Sequence, residues 1–263
     1  MKQIKLYLSF LLFIVTFFSC VDTEEYIVVN EDHSGTYTIK MDMGKMMELM
    51  NQMGQMGGDK AQKGQPIPSA DTLIYFKDLD AEKLTAAEKE LYSRGYCKVK
   101  IDSATSQFKI EMGCPFKNIA QLPEIKKHLF DIAEKYGMDK VVSGKENKSK
   151  EKLPGTGEED IAATLNPSSK DYDFKAVPGK ISYKSNSLPG DKATNDSMMQ
   201  MMQQLTMLTG DMTIKTVITL PHEAKKTVYR KGELSADKRT ITFMNTLMEL
   251  MEKPGDAEYE IEY

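Results

Sequence analysis

"YCKVKIDSATSQFKIEMGC", residues 96–114, is the stretch on which the reading of this chain turns. Cys97, Val99 and Ile101 alternate with polar residues; after a polar break at 102–107, Phe108, Ile110, Met112 and Cys114 alternate in the same way. Period-two alternation on both sides of a turn predicts a half-buried antiparallel hairpin. One register that keeps the apolar residues on a common face pairs Ile101 with Ile110, Val99 with Met112 and Cys97 with Cys114. That pairing suits a cross-strand disulfide in an oxidising compartment. The alternative is two thiols buried on a core face.

The same alternation recurs outward from this hairpin. "YIVVNEDHSGTYTIKMD" (26–42) predicts an earlier hairpin turning at "NEDHSG", and "YDFKAVPGKISYKS" (172–185) predicts two short strands joined at Pro178-Gly179. Strands are also expected in "MTIKTVITLP" (212–221), "TVYRKG" (227–232), "KRTITFM" (238–244) and "AEYEIEY" (257–263), whereas "DTLIYFKDL" (71–79) is ambiguous between strand and helix. Helices are expected where the period changes. "LTAAEKELYSRG" (84–95) has a Thr85/Glu88 capping box, and "LPEIKKHLFDIAEKYG" (122–137) places Ile125, Leu129, Ile132, Ala133 and Tyr136 on one face. "NTLMELME" (245–252) reads as a short helix, and a Lys-, Glu-, Gly- and Pro-rich segment at about 142–170 as a mobile loop. The pattern predicts an α+β fold: an antiparallel sheet built from hairpins, with amphipathic helices, two of them Met-rich, packed on it.

Residues 1–19 read as an export signal. Lys2 and Lys5 precede an apolar run from Leu6 to Phe18, and Ser19 precedes Cys20. The run is too short to span a bilayer as a helix. "FFSC" (17–20) is similar to the lipobox of bacterial lipoproteins, which implies fatty acyl chains on Cys20 and a firm anchor, each buried methylene adding about 0.8 kcal/mol. Residues 20–25 then read as a lipidated tether and 26–263 as a single ectodomain. Val21 rather than Asp follows the cysteine, and Asp22, Glu24 and Glu25 form an acidic cluster. The cluster reads either as an outer-membrane export signal or as a solvated tether. The expected location is the outer membrane, lipid-anchored, with the domain periplasmic or surface-exposed.

The formal net charge of −4, without interleaved basic and aromatic residues, argues against nucleic-acid binding. Zinc-ligand spacing, a phosphate-cradling Gly loop and a Gly-x-Ser-x-Gly elbow are missing from the sequence. Asp32-His33-Ser34 holds the residue types of a catalytic triad, but three consecutive turn residues do not form a relay. The expectation is a protein without cofactor or enzymatic activity. Asp71-Thr72-Leu73, Asp102-Ser103-Ala104 and Asp196-Ser197-Met198 resemble short O-glycosylation sequons, the second at a hairpin tip.

Methionine is concentrated in "MDMGKMMELMNQMGQMGG" (41–58) and "SMMQMMQQLTMLTG" (197–210). Met43, Met46, Met47 and Met50 have spacings that suit Cu(I), which prefers soft thioethers, but no histidine lies in either segment. The same spacings fit helices that face a core. A third reading is an adaptable apolar groove for a lipid or peptide, lined by Met47, Met50, Met201 and Met202. An interaction module whose Met helices are merely core, or a Cu(I)-binding protein, are the alternatives.

From end to end the layout resembles the LppM-type envelope lipoproteins. These follow a lipidated cysteine with a strand and an Asn-x-Asp-Gly-Ser-Gly turn, matched here by Asn30 to Gly35 with His33 in place of the turn glycine. Their closing strands carry a Leu-Pro step, matched by "TLPHEAKKTVYRKGELSADKRTITF" (219–243). The resemblance covers both ends of residues 20–263 and not the middle. It implies an α+β ectodomain that binds lipid or glycolipid, and it implies no catalytic residue.

Overall fold

A computed structural model describes residues 21–45, 47, 48, 69–78, 84–102, 104–135, 172–186, 203, 206, 207 and 210–263. Among the described residues, twelve strands form two sheets. The larger comprises β1 (Val21–Val29), β2 (Gly35–Asp42), β3 (Ala70–Tyr75), β4 (Tyr96–Asp102), β5 (Gln107–Phe116), β8 (Thr213–Thr219), β10 (Glu233–Leu234) and β11 (Thr240–Thr246). Its spatial order is β10-β11-β8-β1-β2-β5-β4-β3. The smaller has the order β6-β7-β12-β9, from β6 (Tyr172–Val177), β7 (Lys180–Ser185), β9 (Lys226–Tyr229) and β12 (Tyr259–Glu262). Among the described residues, helices α1 (Ala86–Tyr92), α2 (Leu122–Lys135) and α3 (Leu247–Glu252) accompany them.

The α+β class therefore holds, with two corrections. There are two sheets rather than one, and β1 pairs with β8 in parallel amid otherwise antiparallel neighbours. A parallel pair needs a long crossover, so this pairing joins segments nearly two hundred residues apart that no hairpin signal links.

One face of the large sheet is the core. Glu25, Ile27 and Val29 of β1, Tyr37, Ile39 and Met41 of β2, Ile110, Met112 and Cys114 of β5, and Cys97, Val99 and Ile101 of β4 are all buried. α1 packs on β5, α2 packs on β5 and β2, and Tyr259 of the smaller sheet stacks on Phe243 of β11. Thr85 caps α1 through the expected box, with Glu88 answering to the Thr85 amide at 2.8 Å. α2 buries Leu122, Ile125, Leu129 and Ile132 in one stripe, each contributing roughly 1.5–3 kcal/mol on full burial. Close approach fixes Gly35: a Cβ there would lie 2.0 Å from the Val28 carbonyl oxygen and 2.4 Å from the Phe116 ring.

The hairpin at 96–114 forms, but its register differs from the expected one by two residues. Cys97 faces Met112, Val99 faces Ile110 and Ile101 faces Phe108, while Cys114 faces Tyr37 on β2. The same face is buried in either register, so alternation could not choose between them. The expected Cys97–Cys114 disulfide is not present, and both residues are buried thiols. They stand diagonally across the ladder, where Cα atoms are about 7–8 Å apart, beyond the usual span of a disulfide.

The expected tether is also corrected. Residues 21–25 belong to β1, paired with β8 from Val21 and with β2 from Thr23. β1 lies in the middle of its sheet, and backbone amides flanked by two strands gain more from the ladder than from solvent.

Candidate functional site: a caged ion pair between the sheets

The site begins with a charge where alternation demands an apolar side chain. Glu25 shares its face of β1 with Ile27 and Val29, and it is 7% exposed. Burial of a lone carboxylate costs several kcal/mol, and here each oxygen is answered. Oε1 accepts from the Lys126 ammonium and from the Tyr37 hydroxyl at 2.9 Å, and Oε2 accepts from the Thr216 hydroxyl at 3.0 Å. The three donors come from α2, β2 and β8.

Lys126 is the matching departure on α2. It sits three positions before Leu129 and seven before Ala133, on the buried stripe, and it is 7% exposed. Its ammonium lies 5.7 Å from the Tyr37 ring centroid, 5.4 Å from Phe174 and 5.5 Å from Tyr183. Ring faces are electronegative, so three of them stabilise a desolvated cation. Tyr183 also belongs to a continuous aromatic ladder. It stacks on Tyr172 at 4.7 Å and on Tyr259 at 5.5 Å; Tyr259 stacks on Phe243 at 4.6 Å, and Tyr229 meets Phe243 edge-on at 5.6 Å. The ladder thus crosses from the smaller sheet to β11 of the larger one.

The electrostatics follow from this packing. Burial pushes the Glu25 carboxyl upward, but the Lys126 charge and the hydrogen bonds from Lys126, Tyr37 and Thr216 overcome it and hold the group below its ordinary value. Burial, reinforced by the Glu25 charge, pushes the Tyr37 and Tyr259 hydroxyls well above theirs. A carboxylate with these donors stays ionised near neutrality. Together they pin α2 and three strands to one point. Beside this cluster, the Asn245 Oδ1 on β11 is buried without a hydrogen-bond partner.

Met47 is 2% exposed within the core, and Met43 is half-buried against it. Met46, Met50, Met201, Met202 and Cys20 lie outside the described residues, as do the expected signal segment at 1–19 and the expected loop at about 142–170. Burial pushes the Cys97 and Cys114 thiols up to about 12. In the sequence Glu25 belongs to an acidic cluster and Lys126 to an amphipathic helix, and neither stands out as a site residue. The missed signal was the pair of opposite charges, each on an otherwise apolar period.

The turn that carries the family resemblance closes as a compact loop. The Asn30 amide donates to the Ser34 carbonyl at 2.8 Å, and Asp32 Oδ1 accepts from the Ser34 amide at 3.0 Å. His33, which stands where the family has glycine, adopts φ +62°. Among the described residues no helix is long and apolar enough to cross a membrane.

No protein-family model and no curated protein sequence matches the chain. Among solved structures, the folded domain of Mycobacterium tuberculosis LppM, determined by NMR, is 8% identical with a TM-score of 0.34, covering 92% of this chain and 88% of that one. The likeness is distant and specifies neither ligand nor partner.

Proposed function

We propose that this chain is a bacterial envelope lipoprotein, anchored to the outer membrane through acylated Cys20, whose ectodomain is a non-enzymatic binding module for an apolar ligand, either lipid or peptide. The observation that carries the reading is the junction at the N-terminus: an export signal ends in "FFSC", and the folded sheet starts at the next residue, Val21. The Glu25–Lys126 pair is internal and both carboxylate oxygens accept hydrogen bonds, which fits a rigid scaffold better than a reacting centre. The ligand would lie along the methionine segments, whose unbranched side chains adapt to irregular apolar shapes.

The test has two parts. Intact mass of the full chain from a bacterial host should show residues 20–263 plus acyl chains, and Cys20→Ser should abolish both acylation and membrane fractionation. Native mass spectrometry of the detergent-released protein should then retain an adduct of several hundred daltons, on the order of a lipid. An unacylated wild-type chain would remove the anchor from this reading, and a bare protein mass would remove the ligand.

A second reading is favoured by Met47, which is buried in the core. On that reading the methionine segments are structural and the domain serves as an interaction module. Mild peroxide treatment separates the two, since groove methionines oxidise in the folded protein and core methionines are protected.

A further inference from the structure

The two edges of the larger sheet are not alike. At one edge β10 is two residues long, too short to template another strand. At the other, β3 offers six residues, Ala70–Tyr75, and among the described residues no strand pairs with its outer side. One bond fixes the direction of its backbone groups: the Phe76 amide donates to the Gly95 carbonyl at 2.9 Å, on the β4 side. Backbone groups of successive residues in an antiparallel strand face opposite neighbours. The amides of Thr72 and Ile74 therefore also turn toward β4, and those of Asp71, Leu73 and Tyr75 turn outward. Their side chains stand on the face opposite the core, beside Lys100, Lys98 and Tyr96, with Leu73 50% and Tyr75 45% exposed. No residue of β3 is buried, although Phe76, the next in the chain, is 1% exposed.

We propose that β3 is the seam of a homodimer, in which two copies pair antiparallel about a two-fold axis at Leu73 and join their larger sheets into one. A second copy is the occupant because this edge is complementary to itself. With Leu73 opposite Leu73 of the second copy, Asp71 falls opposite Tyr75, and Thr72 opposite Ile74. Outward backbone groups then meet outward ones: the Leu73 amides and carbonyls bond each other, and each Tyr75 amide donates to the Asp71 carbonyl across the seam. A slip of one residue would set inward groups against outward ones and opposite faces against each other. The charges agree with this register. The Lys77 ammonium lies over the Tyr75 ring, 5.6 Å from its centroid, and Asp71 of the second copy is the residue opposite that ring. The two-fold makes this contact twice. On the core face Thr72 and Ile74, half-buried where the sheet ends, cover one another. A single strand edge buries less than the about 1,000 Å² of a stable interface, so the dimer is weak and reversible. The pairing is independent of the anchor and of the ligand proposed above.

The experiment uses the full chain in detergent. Leu73→Cys places two thiols at the two-fold, where Cα atoms of a hydrogen-bonded pair lie about 5.5 Å apart, within disulfide reach. Asp71→Cys is the comparison: because 71 meets 75, its two copies stand roughly 13 Å apart along the seam. Mild oxidation should trap Leu73→Cys as a covalent dimer about fivefold or more above Asp71→Cys, and the unsubstituted chain, with its own cysteines, sets the background. Sedimentation of the unsubstituted chain should show the mass rising toward twice the monomer's as concentration increases. Leu73→Pro should abolish that rise, and because the Leu73 amide faces outward, proline spares the ladder to β4. Asp71→Lys should weaken the dimer about tenfold, and Asp71→Lys/Lys77→Asp should restore it, a rescue that a merely damaged fold would not give. A monomer at every concentration, equal trapping at 71 and 73, or a dimer indifferent to Leu73→Pro would each overturn the proposal.

Discussion

Lys126 of α2 and Glu25 of β1 are 101 positions apart and bonded directly, inside a cage made by Tyr37, Phe174 and Tyr183. The contact joins a helix, both sheets and the first strand of the fold, so its loss should be felt globally. Lys126→Met leaves the carboxylate buried without its counter-charge and should cost about 3–5 kcal/mol. Glu25→Gln/Lys126→Met together should recover much of that loss, because no uncompensated charge then remains. Urea midpoints of the wild type, the single and the double variant check this; a single variant within about 1 kcal/mol of wild type would contradict the role.

The same pair sets an acid limit. Glu25 is held below its ordinary value of 4.5 when folded, so the unfolded chain binds the extra proton. Its contribution is therefore fully present above pH 4.5 and is lost as pH falls through the folded value. Stability measured against pH should fall on the acid side of 4.5, and Glu25→Gln should flatten that slope. An unchanged slope in the variant would assign the acid loss to other carboxylates.

Cys97 and Cys114 should remain thiols even in protein recovered from an oxidising compartment. Ellman's reagent should detect neither in the folded protein and both after denaturation, because burial removes access and pushes both thiols up to about 12. An intact mass lower by two hydrogens would show the disulfide and with it the shifted register.

His33 holds φ +62° in the β1–β2 turn. A left-handed conformation costs a side-chain-bearing residue about 1–2 kcal/mol, and glycine gives back part of that in unfolded-state entropy. His33→Gly should therefore stabilise the fold by roughly 0.5–1 kcal/mol. Thermal unfolding reports the sign, and a lower midpoint would show that the imidazole contributes more than the backbone loses.

Much of the fold was legible where physical pattern is local. Alternation located β2, β4, β5, β6, β7 and β11, and the Thr85/Glu88 box located the start of α1, because side-chain period and cap chemistry act over a few residues. The hairpin register at 96–114 was not legible, since shifting it by two keeps the same face buried; the neighbouring strand β2, pairing Tyr37 with Cys114, selects between the two. The ion pair lay further out of reach. Sequence shows an acidic residue in a charged cluster and a lysine in a helix, and both are ordinarily solvated.

What the sequence determined by itself was the α+β class and the apolar faces of the strands and helices. Only the tertiary structure decided that β1 lies between β2 and β8, that the supposed tether is a strand, and that Glu25 and Lys126 meet. The reason is that local preferences cost little information over short spans, whereas long-range pairing is chosen by which distant groups can satisfy a buried charge and an unpaired strand edge together.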